Sequence, residues 1–388
     1  MRMLYSGTEL GNVNLGANLR RFGETLVTST PVSDVPQNAL TGRPNLLRKT
    51  AVVIPTYNAS QHWNQLHSSL QQQGLSEEQV LIVDSSSSDN TRKLARRAGY
   101  RLKQIPKESF RHGATRQMAA ESLSWAEVLV YMTQDAVPSG ENSVKKLVSS
   151  FNDPEVGAAY GRQLPRTQAG PIECHARLFN YPDASDLRTF SSRNRLGIKA
   201  AFISNSFAAY RRSALLEVGG FPRNTIVSEE VTVAARMLIA NWKVAYQADA
   251  AVIHSHPLTV KQEFSRYFDI GVHHGRAKWL LHAFGGAGEE GRTFVMSQMR
   301  YLAKTKPSDM PVAAFRNLSK WCSYQLGLHE RFLPIAVKEA LSGYPHFWEE
   351  EREHVGAANS KAKHYRLESN PQDMGDERSR ERRFEGLI

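Results

Sequence analysis

Ala51-Val-Val-Ile-Pro55-Thr-Tyr-Asn58 and Val80-Leu-Ile-Val-Asp84-Ser-Ser-Ser-Ser-Asp89 are two unbroken apolar runs, each stopping on a polar cluster. Such a run, without polar alternation, fits a strand covered on both faces, as in parallel sheets. A polar helix is expected between them, near Ser60–Gly74. Ser88-Asp-Asn-Thr91 supplies capping chemistry for a second helix reaching Ala98. A third strand is expected near Tyr100–Ile105, a helix around Ala114–Leu123, and a fourth strand at Glu127–Met132. Strands alternating with helices predict an α/β fold of Rossmann-like βαβ units around a mostly parallel sheet.

The rhythm loosens in the second half. Strands are expected at Gly157–Gln163, Ala201–Tyr210, Val244–Gln247 and Ala251–His254, and the pattern turns helical from Leu258. The expected organisation is a loosely ordered leader over 1–48, a catalytic core over 49–257, a helical C-terminal region over 258–348, and a charged, disordered tail over 349–388.

The 388 residues carry a formal net charge of +11, with 41% hydrophobic and 22% charged residues, ordinary values for a globular protein apart from the basic excess. That excess favours acidic partners. The basic residues are dispersed and belong to no nucleic-acid module, so nucleic acid is not expected as a partner. Cys174 and Cys322 form no framework, which points to a reduced, cytoplasmic setting. No run of about 18 apolar residues occurs, so no membrane span is expected.

Ligands of open α/β sheets bind beyond the carboxyl ends of the strands. No GxGxxG follows the first strand and no GxxxxGK[ST] exists, which argues against a dinucleotide fold and a P-loop. Asp84, closing the second strand, suits a ribose hydroxyl or a base imino group, or else caps a turn. The fourth strand leads into Thr133-Gln134-Asp135, where a carboxylate could hold a divalent cation on a diphosphate. One carboxylate is a weak site. His254 and His256, two apart at a strand end and so on one face, are the natural co-ligands. Ser228-Glu229-Glu230 opens a helix through Ala240: Ser228 can cap it and the carboxylates suit its dipole. The same pair reads as a general base, since a neighbouring carboxylate raises proton affinity. In Phe110-Arg-His-Gly-Ala-Thr-Arg116, Gly113 permits close backbone approach and Arg116 suits phosphate oxygens.

Taken together, these segments resemble family 2 glycosyltransferases of the GT-A fold. Val53-Ile-Pro-Thr-Tyr-Asn58 and Val83-Asp-Ser-Ser-Ser-Ser-Asp89 are similar to the family's nucleotide-binding strand ends. Thr133-Gln-Asp135 stands at its Asp-x-Asp motif, with Thr133 for the first Asp. Glu229-Glu230 stands at its Glu-Asp motif, with Glu230 as the base. Tyr160-Gly-Arg-Gln-Leu-Pro165, Phe179-Asn-Tyr-Pro182, Ser204-Asn-Ser-Phe207 and His254-Ser-His256 narrow the resemblance to bacterial rhamnosyltransferases.

The resemblance implies a nucleotide-sugar donor, dTDP-L-rhamnose in that branch, and a saccharide or lipid-linked acceptor of bacterial polysaccharide or O-antigen. Transfer would invert the anomeric centre. Pro55, Thr56, Asn58, Asp84, Arg116 and Gln134 would bind the donor, with Asp135 and His254 on a Mg²⁺ or Mn²⁺ ion. Glu230, beside Glu229, would take the acceptor proton, and Arg162, Asn205 and Gly220 would face the acceptor. Three competing readings are a catalytically inactive scaffold of the same fold, a transferase using another donor, and a nucleotidyltransferase. The last favours a Gly-rich basic loop after the first strand, which Pro55-Thr-Tyr-Asn-Ala59 is not. The basic, aromatic helices after Leu258 would either rest on the inner face of the membrane or form a packed lid or dimer surface.

Overall fold

The computed structural model describes residues 46–286, 288–349 and 351–352. The expected leader, save 46–48, and the expected tail, save 349 and 351–352, lie outside them.

The first half follows the apolar runs closely. β1 (Thr50–Thr56), β2 (Val80–Asp84), β3 (Arg101–Gln104) and β4 (Val128–Met132) all run parallel, in the order β3-β2-β1-β4. Every residue of β2 and β4 is buried, which explains their lack of polar alternation. β3 is short and largely exposed because it forms the edge. A two-residue strand, β5 (Val137–Pro138), follows β4.

The second half extends the sheet in mixed directions through β6 (Val156–Leu164), β7 (Asp186–Arg188), β8 (Phe207–Arg211) and β9 (Lys243–Ile253). The order continues β4-β8-β6-β9-β5, with β7 also on β9. β8 is antiparallel to both β4 and β6, so β6 and β9 regain the direction of β1. Six of the nine strands therefore point the same way, and their carboxyl ends share one edge.

Two strand expectations change. The run Ala200-Ala-Phe-Ile203 is not strand: residues Gly197–Ala201 form a 3₁₀ turn, with Gly197 at φ 55°, and the strand begins only at Phe207. The two strands expected over 244–254 are one. Gly161 pairs with Gln247 and Arg162 with Ala251, so 248–250 bulge out of a single β9. The bulge shifts the alternation and aims the residues after Ile253 at the ends of β4 and β6.

Alternating side chains build a core on each face. Val53, Leu129, Tyr131, Tyr160 and Tyr210 join Phe221, Val233 and Leu238 on one face; Val52, Ile54, Val130 and Ala209 join Trp63, Leu66, Leu147 and Phe151 on the other. Each fully buried Val, Ile or Leu contributes roughly 1.5–3 kcal/mol, so the frame beneath the strand ends is the stiff part of the molecule. From Val260 onward the described elements are helical, chiefly Val260–Arg276, Gly288–Thr305 and Met310–Leu328. The first helix carries a capping box, Thr259 accepting from Gln262 N at 3.2 Å.

Candidate active site

At the ends of β1 and β2 the polar residues bind one another. Asp84 has 0% exposure. Its carboxylate accepts from Ser87 N (3.0 Å), from the Ser87 hydroxyl and from Thr56 Oγ1 (3.3 Å), with Arg92 Nε at 3.8 Å. Asp84 therefore shapes the loop, which is the turn-capping role. Asn58 adopts φ 49°, and its Oδ1 accepts from Ser88 N at 2.9 Å. Gln134 pairs with the Tyr57 backbone in both senses, at 2.8 and 3.2 Å, clamping the β4 end to the β1 end. Pro55 sits half-buried within β1 and contributes shape alone. The rim left open carries the Tyr57 ring, 40% exposed with Lys107 Nζ 4.8 Å from its centroid. Both were missed in the sequence, although Tyr57 adjoins the Thr56 and Asn58 already singled out.

The acidic pair opens the helix Glu229–Ile239. Ser228 does not cap it through its side chain: its backbone is left-handed, φ 62°. Glu229 is buried, paired with Arg116 and accepting from Asn205 Nδ2 at 3.3 Å; Asn205 Oδ1 in turn accepts from Tyr210 Oη at 2.8 Å. This corrects two expectations. Arg116 is only 5% exposed and neutralises Glu229, so it is not offered to a phosphate, and Asn205 braces the same carboxylate instead of facing an acceptor. Gly113 gives its close approach to protein: a Cβ there would lie 1.8 Å from Pro222 O and 3.4 Å from Glu229 Cβ. Gly220, at φ 68°, likewise faces Gln117, whose Oε1 a Cβ would meet at 2.1 Å, and not an acceptor. Arg162 is half-buried on β6 near Tyr246, and alternation sets it on the face opposite Gln163.

Glu230 is half-buried. Burial first, and then the charge of Glu229 with which it shares a hydrogen bond, raise its carboxyl to about 8. A carboxyl poised there can exchange a proton near neutral pH. Glu229 moves the other way: burial opposes it, but the charge of Arg116 holds it ionised. The two carboxyls are thus driven apart, one fixed as an anion and one that keeps its proton until the pH nears about 8.

Asp135, His254 and His256 converge at the ends of β4 and β9. Their ligand atoms lie within 4.8 Å of one another. His256 Nε2 is 2.8 Å and His254 Nε2 3.5 Å from Asp135 Oδ2. Gln163 orients the set. Its Oε1 takes a hydrogen bond from Arg177 Nη1 at 2.7 Å and lies 3.0 Å from His254 Nδ1. An oxygen fixed as acceptor by Arg177 requires the proton on Nδ1, which leaves His254 Nε2 as a bare lone pair beside Asp135. Burial works against the Asp135 charge, but His254, when a second proton occupies its Nε2, and His256 donate to the carboxyl and, with the charge His254 then carries, hold it well below the usual range. Two imidazoles and one carboxylate fit a divalent cation, with Mn²⁺ favoured over Mg²⁺ by the nitrogen donors.

A chain of side chains runs from the triad towards the acidic pair. Gln163 Nε2 donates to Ser204 Oγ at 2.9 Å, Ser204 bonds the Tyr181 hydroxyl, and that hydroxyl feels the charge of Glu230. Both sites thus border the same edge of the sheet.

The sequence profile described as Glycosyl transferase family 2 matches residues 51–219. The chain is 42% identical, over 76% of its length and 95% of the relative's, to the O-antigen chain rhamnosyltransferase WbaN of Salmonella anatum. It is 41% identical, over 77% and 96%, to the O-antigen chain rhamnosyltransferase RfbN of Salmonella typhimurium. The chain is a family 2 glycosyltransferase. A mannosyltransferase of Pyrobaculum calidifontis, solved with GDP-Man and Mn²⁺, is similar at 17% identity and a TM-score of 0.47, covering 82% of both chains. The GT-A architecture expected of this glycosyltransferase accounts for the mixed sheet. The site residues just described lie in or just beyond β1, β2, β4, β6 and β9 and in the helix Glu229–Ile239.

Proposed function

We propose that this glycosyltransferase moves L-rhamnose from dTDP-L-rhamnose to a saccharide hydroxyl in O-antigen synthesis, with inversion. The rhamnosyltransferases it resembles at 41–42% identity over nearly their whole length support the sugar and the pathway. The observation that carries the chemistry is the split carboxyl pair: Glu229 neutralised by Arg116, Glu230 raised beside it. Glu230 takes the proton from the acceptor hydroxyl while that oxygen forms its bond to the anomeric carbon. The bond from the anomeric carbon to the nucleoside diphosphate breaks on the opposite face, and one displacement inverts the centre. Glu229, Arg116 and Asn205 hold Glu230 in position. Asp135, His254 and His256 would hold a divalent cation, which when bound supplies charge for the leaving diphosphate. Residues 49–257 are the catalytic core in this reading, and 258–348 its helical companion.

The inactive-scaffold alternative has no such use for a raised carboxyl beside an ionised one. Incubating the protein with Mn²⁺ and a panel of nucleotide sugars, with thermal shift and sugar release as readouts, tests the donor. Stabilisation should be largest with the dTDP-rhamnose pair of groups. A larger shift with another sugar nucleotide, accompanied by its turnover, replaces the donor; no shift and no turnover with any rejects the reading.

A peripheral place at the inner face of the membrane is the second part of the proposal. No described helix is long and apolar enough to cross a membrane. The helix Met310–Leu328 does leave Val312, Phe315, Leu318 and Trp321 at least half exposed, at 52%, 61%, 59% and 61%. That spacing of three winds them around the helix as one slanted stripe, in a region where basic residues outnumber acidic ones. Flotation with anionic liposomes at low salt should carry the protein upward, and the double change Phe315→Ser, Trp321→Ser should leave it in the dense fraction. Equal flotation of both proteins contradicts this face.

A further inference from the structure

A cleft for a diphosphate ester needs cations, and Arg116, the residue expected to supply one, is closed off with Glu229. Two other guanidinium groups touch the Asp135–His254–His256 triad or its Gln163 support, and a third lies near enough to act on one of them. Arg166, just beyond β6, sends Nη2 to the Asp135 carbonyl oxygen at 3.4 Å and its backbone N to Ser255 Oγ at 3.0 Å. Arg177, in the last turn of the helix Pro171–Asn180, reaches the same Gln163 oxygen that orients His254. Its Nε is buried and has no hydrogen-bond partner among the described residues. Arg266 stands exposed on the helix Val260–Arg276, near enough for its charge to act on Arg177 and on the Tyr181 hydroxyl.

Among the described residues none of the three has a carboxylate at ion-pair distance, whereas Arg188, Arg276 and Arg316 each do. A guanidinium with a buried, unpartnered Nε and a second cation near enough to act on it is costly unless an anion joins them. Their planar donor forks match phosphate oxygens two at a time. We propose that Arg166, Arg177 and Arg266 form the anion-binding wall of this cleft and take the two phosphate groups of a diphosphate ester presented to the triad. The assignment rests on the glycosyl-transfer reading. It adds that Arg266, outside the 51–219 segment that matches the family profile, completes the site from the C-terminal helices.

A diphosphate is carried both by the nucleotide donor and by a polyprenyl-linked acceptor. Isothermal titration of the full chain in Mn²⁺ with dTDP, dTMP and farnesyl diphosphate separates them, comparing wild type with Arg266→Ala and Arg177→Lys. Among the described residues Arg266 makes no hydrogen bond or ion pair that its loss would break, and circular dichroism checks the second variant. The expected result is that dTDP affinity falls about tenfold in each variant while dTMP affinity stays within about twofold, the loss of one charge-assisted contact. A comparable loss for farnesyl diphosphate alone keeps the diphosphate assignment and moves its source to the acceptor. Unchanged affinity for both diphosphates in both variants overturns the wall, even with wild-type binding intact. Wild-type protein that binds neither dTDP nor dTMP overturns the glycosyl-transfer reading and the wall with it.

Discussion

The ends of β1 and β2 and the ends of β6 and β9 are built from similar polar residues but differ in how those residues are used. Around Asp84, each carboxylate and amide oxygen already has a partner within the loop: Ser87, Thr56 and Arg92 for Asp84, Ser88 for Asn58, the Tyr57 backbone for Gln134. Around Asp135, the histidine nitrogens meet in one place and, among the described residues, three arginines lack acids. The first region is a finished mould. The second is an unfinished set of charges that the proposed diphosphate and cation would complete. The acidic pair shows both conditions at once: Glu229 is fully matched by Arg116 and Asn205, while Glu230 retains a proton that it can give up and take back.

This contrast ranks the expected mutant effects. The largest falls on the incomplete side: Glu230→Gln keeps size and hydrogen bonding but removes the base, and turnover at saturating donor should drop at least about 10²-fold. Turnover near wild type would hand the base role to another group. Next, Gln163→Leu removes the oxygen that fixes the His254 tautomer. Affinity for Mn²⁺, followed by electron paramagnetic resonance, should weaken by about 10–100-fold, as for other residues that orient metal ligands. His254→Ala should do at least as much. If Gln163→Leu leaves affinity unchanged, the triad is not what holds the cation. The smallest functional effect belongs to the finished side. Asp84→Asn leaves the buried Ser87 and Thr56 donors imperfectly matched, costing about 1–3 kcal/mol of stability in denaturant titration with Mn²⁺ affinity unchanged. A loss of donor affinity without any loss of stability would show that Asp84 touches the ligand after all.

The elements legible in the sequence are those whose signal is local. β1, β2 and β4 are unbroken apolar runs because both faces are covered, and Glu229-Glu230, Asp135 and His254-Ser-His256 stand where such elements end or begin. What escaped depends on partners far along the chain. Arg116 meets Glu229 across 113 positions, so its withdrawal from the phosphate role cannot be read from Phe110-Arg-His-Gly-Ala-Thr-Arg116. The fusion of two short strands into β9 is a property of its pairing with β6, where the bulge lies. The start of β8 was misjudged because Ala200-Ala-Phe-Ile203 is apolar for burial under the helices and not for pairing. Gln163 was within reach: it lies inside the quoted Tyr160–Pro165 segment, one residue from Arg162 and so on the other face. Arg177 and Arg266 gave no local sign, since an arginine lacking an acid is recognised only by what surrounds it.

The account turns on Glu230 being the group that must lose its proton before transfer. The most direct measurement is the pH dependence of kcat at saturating donor, acceptor and Mn²⁺. Because burial and Glu229 hold the Glu230 carboxyl protonated below about 8, the base form, and with it kcat, should increase as pH rises through that region and level off above it. A profile flat from pH 6 to 9, or one rising only near the ordinary carboxylate range of about 4–5, would contradict the assignment.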